Sequence, residues 1–187
     1  MRLGLPLIFL LGGMASCSAT PVVAPHGALV LVIDTSKNCP VEALRSLEDA
    51  IGMAAQQLGV DDELAVLAFN SRSHWVIPLA KVDPHRSYAG LLHPSTEAAD
   101  IPAALAEATR SFGTASRKRI ILASPGESVS AQIGELPHGI IVSTVCYVTP
   151  SFDAVLMSQI ATAGSGRFYF TNSAEKLPQL LANETRR

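Results

Sequence analysis

Ala28-Leu29-Val30-Leu31-Val32-Ile33-Asp34-Thr35-Ser36-Lys37-Asn38 decides how the rest of the chain is read. Its first six residues are apolar, rich in leucine and β-branched side chains, and unbroken by any polar group. Such a run predicts a strand buried on both faces, as in the middle of a parallel sheet. Asp34 ends the run, and the polar residues to Asn38 form the loop that leaves the strand.

Working outward, Pro40 opens a helix in which Leu44, Leu47, Ile51, Ala54, Ala55 and Leu58 share a face, and Gly59 stops it. Leu64 to Phe69 and His74 to Leu79 are strands two and three. The short loop Asn70 to Arg72 between them predicts an antiparallel hairpin. Pro78 cannot donate to a ladder, so strand three belongs at an edge. Alternation places Trp75, Ile77 and Leu79 on one of its faces. That face either packs on a helix or offers the chain's one tryptophan to a partner.

Lys81 to Ala98 is a long polar connection. Asp100 then N-caps a helix with Pro102 in its first turn, and Ile101, Ala104, Leu105, Ala108 and Phe112 face inward. Arg119 to Ala123 is strand four, ending in Ser124-Pro125-Gly126-Glu127. Ile140 to Val148 is strand five, and Phe152 to Ala163 is a helix. Gly164-Ser165-Gly166 turns into strand six, Arg167 to Phe170. Ser173 caps a last helix packed through Leu177, Leu180 and Leu181. The order is β-α-β-β-α-β-β-α-β-α. It predicts an α/β fold: a mostly parallel six-stranded sheet, one antiparallel edge strand, and helices on both faces.

With 187 residues, 48% of them hydrophobic and 16% charged, the chain has the material for one packed domain. A net charge of -2 gives no footing for nucleic acid or an anionic membrane surface. Arg117-Lys118-Arg119 is the densest basic spot and reads as a solvated lead-in to strand four. The N-terminus differs: Met1-Arg2, an apolar stretch from Leu3 to Leu11, then Met14-Ala15-Ser16-Cys17. This is the layout of a secretory signal, too short to span a bilayer. Its end resembles the bacterial lipoprotein processing box, which makes residues 1–16 a signal and Cys17 the lipidated first residue of the exported protein. An ordinary cleaved signal with a coincidental cysteine is the other reading. Residues 17–27 read as a tether, 28–183 as the domain and 184–187 as a tail. Of the remaining cysteines, Cys39 and Cys146 either pair in an oxidising compartment or stay apart, with Cys146 a buried thiol.

The layout and its motifs resemble a von Willebrand factor A domain. The resemblance rests on five matches in order. They are Asp34-x-Ser36 after the first strand; Leu64-Ala65-Val66-Leu67-Ala68-Phe69-Asn70; and Ala99-Asp100-Ile101 before an alanine-rich helix. The last two are Ile120-Ile121-Leu122-Ala123-Ser124-Pro125-Gly126-Glu127 and Ala163-Gly164-Ser165-Gly166-Arg167-Phe168-Tyr169. It implies a Rossmann-like sheet with a metal-ion-dependent adhesion site at the C-terminal edge, where open α/β sheets bind ligands. There Mg²⁺ takes about six oxygens, with a partner's carboxylate completing the shell.

Carried over by position, the metal set is Asp34, Ser36, Asn38 in place of the second serine, and Asp100. The threonine position falls on Ala99 and the second aspartate on Pro125, and neither offers an oxygen. Thr96 substitutes only if its loop folds differently, and Glu127 is expected to point elsewhere. The resemblance therefore implies a degenerate site, with no cofactor or only weakly held Mg²⁺ or Mn²⁺. Metal-free readings stand beside it: Asp34, Ser36 and Asn38 cap the helix beginning near Cys39, or Asp34 organises loop amides.

No nucleophile elbow, phosphate loop, dinucleotide fingerprint or zinc motif occurs. His85 and His93, with Asp83, share the long loop and read either as solvated histidines or as an improvised site. Ser36 and Ser124 have no identifiable base. The sequence thus points to a non-catalytic binding domain of a lipid-anchored bacterial envelope protein, at the outer membrane or the periplasmic face. Its partner is another protein, and it meets the membrane only through the N-terminal lipid. Cation-dependent adhesion and a periplasmic enzyme with a loop site are the alternatives.

Overall fold

The computed structural model describes residues 26–83, 85–129, 133–147, 149–150 and 152–187. The segment read as an N-terminal signal, Cys17 and nearly all of the segment read as a tether lie outside the described residues. Strands β1 (Gly27–Asp34), β2 (Glu63–Phe69), β3 (Ser73–Lys81), β4 (Arg117–Ser124), β5 (Ile140–Tyr147) and β6 (Ser165–Thr171) form one sheet. Its order is β3-β2-β1-β4-β5-β6. Only β2 and β3 pair antiparallel. Helices α1 (Val41–Ala55), α2 (Ile101–Arg110), α3 (Ala154–Ala163) and α4 (Leu177–Thr185) cover it.

Every residue of β1 is buried, because the strand lies between β2 and β4 with a helical layer on each side. Leu29, Leu31 and Ile33 point to the core shared with α1 and α4, where Leu47, Ile51 and Leu181 meet them. Val30 and Val32 point the other way, to Ile101 and Leu105 of α2 and Met157 and Ile160 of α3. The chain runs from β1 outward through β2 and β3, then crosses back to β4 on the other side of β1. That reversal puts a topological switch point at the C-terminal ends of β1 and β4, the place where open α/β sheets receive ligands.

Several boundaries differ from the sequence expectation. Helix α1 ends at Ala55, before Gly59, whose amide bonds Asp62 instead. Helix α3 begins at Ala154, with Asp153 accepting from Leu156 N. Ser173 precedes a 3-10 turn (Ala174–Lys176) and makes no capping bond; α4 starts at Leu177. Gly164-Ser165-Gly166 is not a free turn. Strand β6 already starts at Ser165, and a Cβ on Gly166 would collide with the Val142 carbonyl. Regular structure runs from Gly27, at the start of β1, to Thr185, at the end of α4. Glu184 is buried: it accepts from Ser143 Oγ and Tyr169 OH, while Arg119 Nη1 and Nη2 cap the helix at the carbonyls of Glu184 and Thr185.

Strand β3 breaks its alternation. The register with β2 shifts between Leu64 and Val66 and again between Val66 and Leu67. Each extra residue flips the next stretch of strand to the other face. Trp75 and Leu79 therefore pack toward α2, and Ile77 joins the opposite core. Trp75 Nε1 donates to Glu107 of α2 at 3.2 Å, so this tryptophan is a packing residue. Cys39 and Cys146 are both free thiols, on opposite faces of the sheet. Among the described residues no helix is long and apolar enough to cross a membrane.

Candidate functional site

Asp34, at the C-terminal end of β1, is fully buried and holds both of its oxygens in hydrogen bonds. Oδ1 accepts from Ser36 N at 2.8 Å, and Oδ2 accepts from Ser124 Oγ at 2.6 Å. Ser124 ends β4, the neighbour of β1, so the sheet itself delivers this hydroxyl to the carboxylate. Ser124 Oγ in turn accepts from Gly126 N at 2.9 Å. Burial raises the Asp34 pKa; the hydroxyls of Ser124 and Ser36 and the Ser36 amide oppose that rise, and Glu127 adds to it by repulsion.

Glu127 therefore does not point elsewhere. Its Oε2 accepts from Asn38 Nδ2 at 2.7 Å. Gly126 makes this possible. At a φ of +89° it turns the chain back, and a Cβ there would strike the Asp153 carbonyl. Sequence reasoning missed Ser124 and Glu127 as site residues. The signal was the Ser-Pro-Gly-Glu turn itself, which starts at a strand end and contains a residue free to adopt positive φ.

Asp34, Ser36 and Asn38 do not cap α1. Its N-cap is Pro40, with no side-chain bond. Asp100 does cap α2, through Oδ1 to Ala103 N, and its own amide donates to Asn70 O. Ala99 is buried in the core beneath α2, and Thr96 is exposed. The segment around Thr96 is held by the backbone, Ser95 N to Thr35 O and Lys37 N to Glu97 O, so it lies along the loop after β1. His85 and His93 are exposed. The His85 amide bonds Asp83 Oδ1, and the same loop buries Tyr88 and Leu92 against α1. No group of three or more His, Cys, Asp or Glu among the described residues is placed to hold a metal.

The oxygen set does not fit a tightly held Mg²⁺. Ala99 and Pro125 carry no side-chain oxygen, each Asp34 oxygen already accepts a hydrogen bond from its loop or from Ser124, and the Asn38 amide nitrogen donates to Glu127. The donors close on one another and tie together the loops after β1 and β4. One atom stands outside this closure. Ser36 Oγ lies near enough to the Asp34 carboxylate to lower its pKa, yet, in a residue only 1% exposed, it completes no hydrogen bond of normal geometry among the described residues.

The same end of the molecule carries exposed apolar side chains. Phe152 and Val155, at the start of α3, are 45% and 67% exposed, and Phe170, near the end of β6, is 48% exposed. The rings of Phe152 and Phe170 sit 5.8 Å apart. Val129, on the loop after Glu127, is exposed as well, and Asp153 N bonds Pro125 O, joining that loop to the base of α3.

Solved structures match the fold closely. A von Willebrand factor type A protein from Catenulispora acidiphila superposes with a TM-score of 0.73 at 21% identity, over 86% of this chain and 42% of that one. An aerotolerance-related membrane protein from Bacteroides fragilis, carrying multiple mutations to serines, gives 0.64 at 15% identity over 84% and 98%. Proximal thread matrix protein 1 from the mussel byssus, with a zinc-occupied MIDAS motif, gives 0.65 at 17% over 86% and 45%. The chain thus spans less than half of the first and third of these proteins. No family model matches the sequence, and no curated protein matches it.

Proposed function

With the described residues forming a von Willebrand factor A fold, we propose that this is a non-catalytic lipoprotein of the bacterial cell envelope that binds another protein without a metal ion. The observation that carries the reading is the juxtaposition at the C-terminal edge. An Asp34 centre completed by its own hydrogen bonds lies at the same C-terminal edge of the sheet as the exposed side chains of Phe152, Val155 and Phe170, with β4 and β5 between them. Contiguous exposed apolar side chains mark interaction surfaces, and aromatic residues are the usual anchors there. Ser124 donates to Asp34 with both residues fully buried, so neither group is open to a substrate, which supports a non-catalytic role. The Cys17 box supports the lipid anchor, and the likeness to a membrane protein of B. fragilis is in keeping with an envelope location.

Crosslinking of the full chain in envelope extracts of its own host tests this. The wild type should capture the same partner with Mg²⁺ or with EDTA, and the F152S/F170S variant should lose it. Capture that survives the double variant, or that EDTA abolishes, refutes the reading.

Cation-dependent binding has one observation in its favour, the buried Ser36 hydroxyl beside the Asp34 carboxylate, which completes no hydrogen bond among the described residues. A cation at about 100 times its dissociation constant stabilises by roughly 2.7 kcal/mol. That is a rise in Tm of roughly 5–10 °C. A rise of this size in millimolar Mg²⁺ or Mn²⁺, absent from Asp34→Ala, establishes the cation-dependent mode. A flat response removes it.

A further inference from the structure

The other end of the sheet holds a cleft of about 720 Å³, between the N-terminal ends of β4 and β5, the segment from Ile133 to Gly139 and the end of α3. It is far from Asp34: Arg117 and Ser124 stand at opposite ends of the eight-residue β4, roughly 20 Å apart along the strand. The volume lies within the range of small-molecule sites.

Its lining is apolar on one side and cationic on the other. Ile133, Leu136 and Ile140 supply the apolar wall, Ile133 and Leu136 being packed on the core below. Arg117, Lys118 and Arg119 all border it, but they are not equivalent. Arg117 meets Asp62 at 3.4 Å, and Arg119 is spent on the carbonyls that end α4. Lys118 pairs in register with Ile140, is half-buried, and has no ion-pair or hydrogen-bond partner among the described residues. Arg187 adds to the cationic side, and Glu135, exposed, is the one acidic side chain of the lining. Helix α3 ends at Gly164 on the far side, where its carbonyls repel an anion. An anionic head is therefore directed to the Lys118 end.

We propose that this cleft binds a small amphipathic anion, with its single anionic head at Lys118 and its apolar body along Ile133, Leu136 and Ile140. A lysine ammonium is a strongly hydrated point charge. In a half-buried wall it gains most from a ligand that replaces lost water with negative charge, while the apolar wall gains from a hydrocarbon body. The basic spot of the sequence is thereby divided: one arginine closes a helix, one pairs on the surface, and the lysine between them reads the ligand.

The test is calorimetric titration of the full chain with laurate, below micelle-forming concentrations, against dodecanol and dodecyltrimethylammonium, which share its body but not its charge. Each is repeated on Lys118→Gln, which keeps the apolar stem, and on Gly134→Trp. Gly134 lines the cleft, and a Cβ there meets nothing within 4 Å, so a large side chain can be introduced beside the site without a clash. Any binding by the apolar leader is common to all three chains and cancels in the comparison, and thermal melts verify that the variants fold. Laurate should bind one to one, at least tenfold tighter than either analogue, and each substitution should weaken it at least tenfold. Equal binding of the three probes, no saturable laurate binding, or unchanged affinity in both folded variants overturns the proposal.

Discussion

Ser124 Oγ donates to Asp34 Oδ2 at 2.6 Å across 90 residues of sequence, joining the ends of the two strands that flank the chain reversal. The bond is buried, and Ser124 also accepts from Gly126 N, so one hydroxyl serves two backbone-anchored partners. Removing it in Ser124→Ala leaves a carboxylate oxygen and an amide without partners in the interior. An unsatisfied buried group costs about 1–3 kcal/mol. The variant should unfold roughly 5–10 °C below the wild type. An unchanged denaturation midpoint would show that the bond contributes nothing.

Two carboxylates should give the stability a pH dependence of opposite signs. Burial, reinforced by Glu127, holds the Asp34 pKa above its ordinary value of 3.8, against the pull of Ser124 and Ser36. The native state then keeps this proton to higher pH than the unfolded chain, so the contribution of Asp34 declines as pH rises from 3.8 through the raised value. At Asp62 burial alone would raise the pKa, but the amides of Gly27 and Gly59 and the charge of Arg117 outweigh it and leave a net lowering. Its contribution is complete above 3.8 and is lost as pH falls through the depressed native value. Urea unfolding between about pH 2 and pH 7 should show Asp34→Asn flattening the upper part of the profile and Asp62→Asn the lower. The reverse assignment would contradict both environments.

Gly126→Ala should cost more than an ordinary surface change. The position has φ of +89°, and a methyl there meets the Asp153 carbonyl and the Met157 side chain. Strain and overpacking together come to roughly 2–4 kcal/mol. The loss is measurable as a shift in the denaturation midpoint, and it should be accompanied by loosening of the Glu127 loop in amide exchange. Normal stability in this variant would mean that the turn rearranges freely.

Cys39 and Cys146 should resist thiol reagents in the native protein and react only on unfolding. Burial pushes the Cys39 thiol up to about 12, with the Tyr147 hydroxyl bond opposing it, and the Cys146 thiol up to about 11. The reactive thiolate is then a trace species at neutral pH. Peptide mapping after brief maleimide labelling checks this, and reductant should leave the melting temperature of the domain unchanged. Labelling of either residue at the rate of an exposed cysteine, or a disulfide between them, would contradict their placement on opposite faces.

Much of the architecture comes from local patterns. The unbroken apolar run before Asp34 has a single comfortable position, the middle of a covered sheet, and β1 occupies it. The Asn70–Arg72 loop is too short for anything but an antiparallel return, and Pro78 suits the edge that β3 forms. Asp100 caps α2 because its side chain reaches an amide three residues on. These features depend on residues within a turn or two of each other, so composition and spacing carry them.

Features beyond the reach of the sequence involve partners distant along the chain or backbone shapes that composition does not encode. Two bulges in β3 returned Trp75 to α2 and sent Ile77 to the opposite core. The turn at Gly126 swung Glu127 back to Asn38, 89 positions away, and adjacent strand ends brought Ser124 to Asp34. The sequence by itself determined the order of elements, the buried centre of the sheet and the carboxylate at its rim, because periodicity and capping are local physics. Only the tertiary structure decided which groups that carboxylate meets, which face each cysteine takes and which of three adjacent basic residues is left without a partner among the described residues. Those outcomes depend on strand register and on close approach between segments separated by tens of residues.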